Sequence, residues 1–296
     1  MTADPVDSTA QPLVTVIIAS YNHAPYIEAS INSVLAQTYS PIELLVIDDG
    51  STDGSPELLQ RLSAQHGFDL RLQANQGLSR TLNDAIARSR GTLIAPFGSD
   101  DIMYPHRLAT QVAYLQGKPE VGICAANVEF IDSEGQLLGE RHQSKRSDPF
   151  RRLDFDDVFL NRKPGANAAT LTFRREALEK VGGFNPDIRL EDVYIELAIT
   201  RAGYVIDVLS EPLAQYRTHP TNTYKNHRFM VDSMLKTLAV FRDHPAYGQV
   251  CNEFRNSMFL KCAKTDKALA KELLANIPLS HWNMKTLRGL GRLIFA

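Results

Sequence analysis

The stretch 91-GTLIAPFGSDDIMYP-105 decides how the first third of this chain is read. Leu93 to Phe97 form a short apolar run, the pattern of a strand buried on both faces. The run leads straight into Gly98, Ser99, Asp100 and Asp101. Two adjacent carboxylates repel each other and need a counter-cation or full solvation. They read either as a solvated turn with helix-capping acids or as a metal site, and these residues alone do not choose.

Working outward, 13-LVTVIIAS-20 and 42-IELLVIDDG-50 are two more buried strands, and 69-DLRLQAN-75 is a weaker one. Helices fall between them. One starts near Pro25, with Ile27, Ile31, Val34 and Leu35 at helical spacing. One opens on Ser55-Pro56, an N-cap and first-turn pair. One runs from Leu78 to Ser89 and closes at Gly91. Strict alternation predicts an α/β, Rossmann-like fold with a parallel, doubly wound sheet. Ligands of such sheets bind off the carboxyl ends of the strands. Those ends carry Ser20-Tyr21-Asn22, Asp48-Asp49-Gly50-Ser51, Asn75-Gln76-Gly77 and Ser99-Asp100-Asp101. All four clusters are expected to face one crevice, which weakens the solvated-turn reading of Asp100 and Asp101.

The second half is less regular. A helix is expected near 106–116, a strand over 121–132, a charged mobile loop over 140–152, and a strand then a helix over 167–184. Another helix begins at Glu191, and two short strands flank Pro212. From about Tyr224 onward the pattern is largely helical. The 296 residues carry a net charge of −2, so no global field favours nucleic acid. Hydrophobic content of 44% with 22% charged residues fits an ordinary globular protein. Cys124, Cys251 and Cys262 show no CxxC spacing, which suggests a reducing compartment. The polar start MTADPVDSTAQP lacks the basic and apolar regions of a signal peptide and reads as a disordered lead-in. No stretch has the ~20 apolar residues of a membrane-spanning helix.

Four segments in order, 14-VTVIIASYNHAPYIEASINSVLAQTY-39, 44-LLVIDDGSTDGS-55, 75-NQGLSRTLNDAIARSRGTLIAPFGSDD-101 and 191-ED-192, resemble the inverting glycosyltransferases of family 2, which have the GT-A fold. The likeness covers about residues 12–220. It implies a glycosyltransferase domain (12–222, nucleotide-binding half 12–105, acceptor half 106–222), between the disordered lead-in (1–11) and the helical C-terminal region (223–296) that the residues themselves suggest. It also implies transfer from a UDP- or dTDP-sugar to a hydroxyl of a glycan or lipid-linked acceptor, in bacterial cell-surface polysaccharide, lipopolysaccharide or O-antigen synthesis.

Residue by residue, the resemblance lays Ser20, Tyr21 and Asn22 against the nucleotide. Asp49, with Asp48 close behind, accepts the N3–H of uracil or thymine, a hydrogen-bond test of the base. Asn75 and Gly77 lie on the third loop, and Arg80 is a diphosphate candidate because guanidinium pairs well with phosphate. Asn83 follows on the same helix, while Ser51 and Asp53 read as turn and capping residues. Mn²⁺ or Mg²⁺ would sit on the diphosphate, held by Asp100, with Asp101 in support and His219 of 216-YRTHPTN-222 as a further candidate. The family often has Asp-x-Asp here. Gly98 stands in place of the first acid, which puts ribose contact in doubt more than the metal. Ser99 is placed with the nucleotide. An inverting displacement needs one general base, assigned to Asp192 with Glu191 as the alternative. Each of these residues also has a plain structural reading, as a turn, a cap or an exposed helix position.

Two other classes compete. A sugar-nucleotide nucleotidyltransferase usually has a Gly-rich loop after its first strand, and this chain has Ser-Tyr-Asn-His-Ala-Pro. A non-catalytic nucleotide-sugar binding module would bind without turnover. A P-loop is absent. The segment 281-HWNMKTLRGLGRLIFA-296 mixes bases and apolar residues without an acid. It suits an interfacial helix on an anionic bilayer, or equally a helix packed on the protein or on a second subunit. The expected location is cytoplasmic, with peripheral contact at the inner membrane left open, as is a homo-oligomer.

Overall fold

A computed structural model describes residues 11–139, 149–220 and 222–295. Residues 1–10 of the expected lead-in and the greater part of the charged loop, 140–148, lie outside the described residues. The chain divides into two compact units. One comprises residues up to Asp187 together with Tyr194–Thr218, and the other Ile188–Val193 with the residues from His219 onward.

Among the described residues the first unit is built on nine strands. β1 (Val14–Ser20), β2 (Ile42–Asp48), β3 (Asp69–Leu72) and β4 (Leu93–Gly98) pair in parallel in the order β3-β2-β1-β4. Between them run α1 (Ile27–Leu35), α2 (Ser55–His66) and α3 (Leu78–Arg88). Both faces of β1 are covered, with Val16 and Ile18 in one core cluster and Ile17 in the other. That is why its sequence is continuously apolar rather than alternating.

Beyond β4 the sheet becomes mixed. β5 (Ile102–Met103) comes directly after the acids, α4 (Arg107–Leu115) follows, and then β6 (Val121–Ile131). β7 (Arg151–Leu153), α5 (Phe155–Phe159), β8 (Thr172–Arg174), α6 (Arg175–Lys180), α7 (Glu191–Arg201) and β9 (Val205–Arg217) complete the order β4-β8-β6-β9-β5, with β7 on β9. The expected pair of strands around Pro212 is one strand. Proline is accommodated because the β6–β9 register shifts on either side of Asn127, the residue opposite Pro212. β7 is a second departure, since it begins inside the stretch read as a mobile loop.

In the second unit, α8 (His227–Ala239), α9 (Tyr247–Thr265), α10 (Lys267–Ala275) and α11 (Met284–Phe295) bear out the helical pattern. Phe259, Cys262, Leu269 and Leu273 form the centre of its apolar cluster. No described helix is long and apolar enough to cross a membrane.

Candidate functional site

Register sets the site. Ser20 pairs with Asp48 and Ala19 with Gly98, so three loops leave the sheet from one level. The first loop is braced by the second. Asn22, at φ 56°, accepts from Thr52 N through its amide oxygen at 2.8 Å, and its own N–H donates to Ser51 Oγ at 2.8 Å. Asp53 accepts from Ala24 N and from Ser55 N and Oγ; the N-cap of α2 is Gly54, at φ 86°, rather than the expected Ser55, which is the first helical residue. Ser51 and Asp53 thus hold loops, as their sequence reading has it. Tyr21 is left 51% exposed, a ring open to a flat ligand.

Asp48 and Asp49 are both buried but differ in their partners. Asp49 holds the third loop: Oδ1 accepts from Gln73 Nε2 (2.8 Å) and Gln76 N (3.0 Å), and Oδ2 from Gly77 N (3.0 Å). Asp48 Oδ1 accepts from Ser51 N. Asp48 Oδ2 and Ser20 Oγ are buried with no hydrogen-bond partner among the described residues. Gly50 lets these loops meet, since at φ 83° its Cβ would lie 2.8 Å from Asn75 N. Asn75, Gly77 and Arg80 are exposed. Asn83 exchanges two hydrogen bonds with the backbone of Phe184 (2.7 and 2.9 Å).

At the end of β4 the two acids separate. Asp100 is half-buried, and Asp101 is buried beneath it. Asp101 Oδ1 accepts from Arg217 N at 2.9 Å. Burial, then the charge of Asp100, hold the Asp101 carboxyl well above the usual carboxylate range. The Arg107 guanidinium is fully buried nearby. It donates to the carbonyls of Ala169 and Leu171, and burial lowers its pKa to about 9. Arg217 braces the turn from the other side, donating from Nε to Asp100 O (2.7 Å) and from Nη1 to Asp132 O and Ser133 O. His23, from the first loop, hydrogen-bonds Ser99 Oγ through Nδ1 at 2.6 Å. A ring nitrogen of His23 and a carboxylate oxygen of Asp100 lie within 4.8 Å of each other. Carboxylate oxygen with imidazole nitrogen is a donor set suited to Mn²⁺.

In the second unit Glu191 and Asp192 open α7, both partly exposed. Asp192 Oδ1 accepts from Val193 N. Burial of the carboxyl groups raises both, and the Asp192 charge adds to the rise at Glu191, which reaches about 8. His219 is buried. Its N–H donates to Asn222 Oδ1, its Nε2 lies 3.2 Å from Asn222 Nδ2, and its carbonyl accepts from Lys225 Nζ.

Residues 15–182, more than half of the chain, match the family model for glycosyl transferase family 2. The chain belongs to glycosyltransferase family 2. It is 28% identical over 221 residues to the O-antigen biosynthesis glycosyltransferase WbnJ of Escherichia coli, covering 72% of this chain and 83% of WbnJ. The fold is GT-A. S. aureus TarS, solved with UDP-GlcNAc, superposes with a TM-score of 0.64 at 17% identity over 95% of this chain and 80% of that one. The mannosyltransferase PcManGT of Pyrobaculum calidifontis, solved with GDP-Man and Mn²⁺, gives 0.62 at 21% identity over 97% and 86%.

Three residues of this family 2 glycosyltransferase are set by the structure rather than by a sequence signal. His23 stands beside Asp100. Arg217, inside the 216–222 segment that offers His219 as a metal candidate, instead braces the acid turn. Arg107 gives no signal, because an arginine in the first turn of a helix is ordinarily a surface residue.

Proposed function

We propose that this chain transfers a sugar, with inversion, from a nucleoside-diphosphate sugar to a hydroxyl of a glycan or lipid-linked acceptor, in the synthesis of a cell-surface polysaccharide. Residues 12–105 bind the donor and 106–222 frame the acceptor. The observation that carries the reading is the half-exposed Asp100 carboxylate beside a His23 nitrogen, at the strand ends where Tyr21 and the Asp48–Asp49 pair also sit. The solved ligands of TarS and PcManGT, and the O-antigen role in the name of WbnJ, support the same reading.

Tyr21 stacks on the base, Ser20 and Asn22 shape its loop, and the Asp48–Asp49 pair accepts N3–H of uracil or thymine. Asn75, Gly77 and Ser99 line the nucleotide, and Arg80 reaches the diphosphate. Asp100 would hold a divalent cation, Mn²⁺ or Mg²⁺, which when bound neutralises the diphosphate as it leaves. His23 is a second candidate ligand. His219, two residues after the Arg217 that braces Asp100, is another, and Asp101 supports from beneath. The acceptor oxygen attacks the anomeric carbon as the bond to the β-phosphate oxygen breaks. The electron pair leaves with the diphosphate, and the hydroxyl proton passes to Asp192, with Glu191 beside it. The protein acts in the cytoplasm.

Thermal unfolding with UDP, dTDP and GDP, with and without Mn²⁺, tests this. A ligand at a hundred times its Kd adds about 2.7 kcal/mol of stability. Stabilisation by UDP or dTDP that needs Mn²⁺ and is lost in Asp100→Ala is expected. No stabilisation by any diphosphate at millimolar concentration would overturn the reading. Sugar transfer that is unchanged in Asp192→Asn would remove the assigned base.

A further inference from the structure

Between Glu272 and the final residue the sequence contains no acid, yet Lys285, Arg288 and Arg292 fall within it. The same segment concentrates exposed apolar side chains. Leu279, Trp282, Met284, Leu287 and Ile294 are five of the thirteen large hydrophobics exposed among the described residues. Burying these in the second unit's own core was open to the sequence, and the structure does not do it.

The helix geometry explains how. At about 100° per residue, α11 presents three stripes. Thr286, Gly289, Leu290 and Leu293 share the inner one. Thr286 is fully buried and donates to Asn256 Oδ1, while Leu290 and Leu293 pack on the cluster around Phe259. Met284, Leu287 and Ile294 share a second stripe, with exposures of 69%, 55% and 69%. Lys285, Arg288 and Arg292 form a third, beside the second. Lys285 Nζ donates to Ser257 Oγ and Arg292 Nη1 to Leu260 O, so these two bases lean toward α9 and leave the apolar stripe uncovered, while Arg288 between them is exposed. Trp282 exposes its ring while its Nε1–H is satisfied by Ile277 O.

We infer that this face of α11, with Leu279 and Trp282, is a docking surface for an anionic lipid bilayer. An exposed apolar stripe flanked by bases, with an indole at one end, inserts into the interface while the cations meet anionic headgroups. The absence of any acid from the segment is what selects an anionic partner. A second copy of the chain would bring the same three bases into its own contact, where like charges oppose each other.

Flotation of the full chain with phosphatidylcholine–phosphatidylglycerol vesicles, against pure phosphatidylcholine, tests it without reference to donor or acceptor. The chain is expected to float with the mixed vesicles, with affinity at least about tenfold above the neutral ones and reduced by high salt. Leu287→Gln with Ile294→Gln should abolish flotation, and Arg288→Glu should lower affinity about tenfold. All three positions are exposed, so thermal unfolding should match the parent. Failure of the parent to float with mixed vesicles would overturn the inference, as would flotation unchanged by these variants. So would a dimer, seen by sedimentation, that the double variant splits while vesicles bind neither form.

Discussion

The Asp101 carboxylate occupies the space that a side chain on Gly98 would need. A Cβ there would stand 2.7 Å from Asp101 Oδ2, and 2.9 Å from Asp100 Oδ1. The position where the family often has an acid is therefore filled by the two acids that follow it. Gly98→Ala is predicted to displace both carboxylates and weaken Mn²⁺-dependent nucleotide binding by about fivefold or more, roughly 1 kcal/mol. Gly98→Asp should do the same or worse. Titration calorimetry of the nucleoside diphosphate with Mn²⁺ measures this. Tighter binding by Gly98→Asp would mean that the turn opens to seat a third acid.

Asp49 supplies both carboxylate oxygens to the 73–77 loop, so its replacement acts on the loop before it acts on a ligand. In Asp49→Asn an amide NH₂ must face at least one backbone N–H. A loss of about 1–3 kcal/mol in urea unfolding is expected, with faster amide exchange at Gln76 and Gly77. Asp48→Asn should cost less stability, because only one of its oxygens has a partner among the described residues. Equal losses from the two variants would contradict this division of labour.

Glu191 and Asp192 titrate as a pair, and burial with mutual repulsion keeps a proton on Glu191 up to about pH 8. Burial raises Asp192 as well, and Asp192 is the proposed base. Asp192→Asn should lower kcat by about 10²–10⁴. Glu191→Gln should retain most of the rate, keep the acid limb of the pH–rate profile and remove any step near pH 8. A larger loss from Glu191→Gln than from Asp192→Asn would exchange their roles.

The same shift sets a pH dependence of stability. The folded form keeps the Glu191 proton to about pH 8, whereas the unfolded chain releases it near 4.5. Between those values the folded state binds more protons, so this group's contribution is present below about pH 4.5 and is lost as pH rises through 8. Chemical unfolding across that window should show a decline that is shallower in Glu191→Gln. Identical slopes in the two proteins would mean that Glu191 titrates normally.

Arg217 is predicted to support the acid turn through its fork. Arg217→Lys keeps the backbone donor to Asp101 but cannot reach the carbonyls of Asp100, Asp132 and Ser133 together. A stability loss of about 1–3 kcal/mol is expected, with weaker Mn²⁺ binding. Mn²⁺ binding unchanged in a destabilised variant would confine Arg217 to holding the fold.

The parallel half of the sheet was readable because β1, β2 and β4 are β-branched or apolar runs that end in polar clusters, and burial on both faces enforces that pattern. The mixed half was harder for physical reasons. Ile102–Met103 is too short to show a period, and Arg151–Leu153 sits among charges that point away from strand. Pro212 reads as an interruption unless the register shift opposite it is known. At the site, the acids were visible from their place at strand ends. Their division into one half-exposed and one buried carboxylate was not, because Arg217, which holds the turn through Asp101 Oδ1 and the Asp100 carbonyl, comes from more than a hundred residues further along the chain.

The ends of the sheet carry a consequence for the protein in concentrated solution. One outermost strand, Asp69–Leu72, has four residues, and the other, Ile102–Met103, has two. Along β9, the interval between its pairings with β7 and β5 is where Pro212, which has no N–H to offer, sits. A stray extended chain would find few open backbone groups in any row. The sheet resists lateral growth into fibrous stacks by being short at its margins.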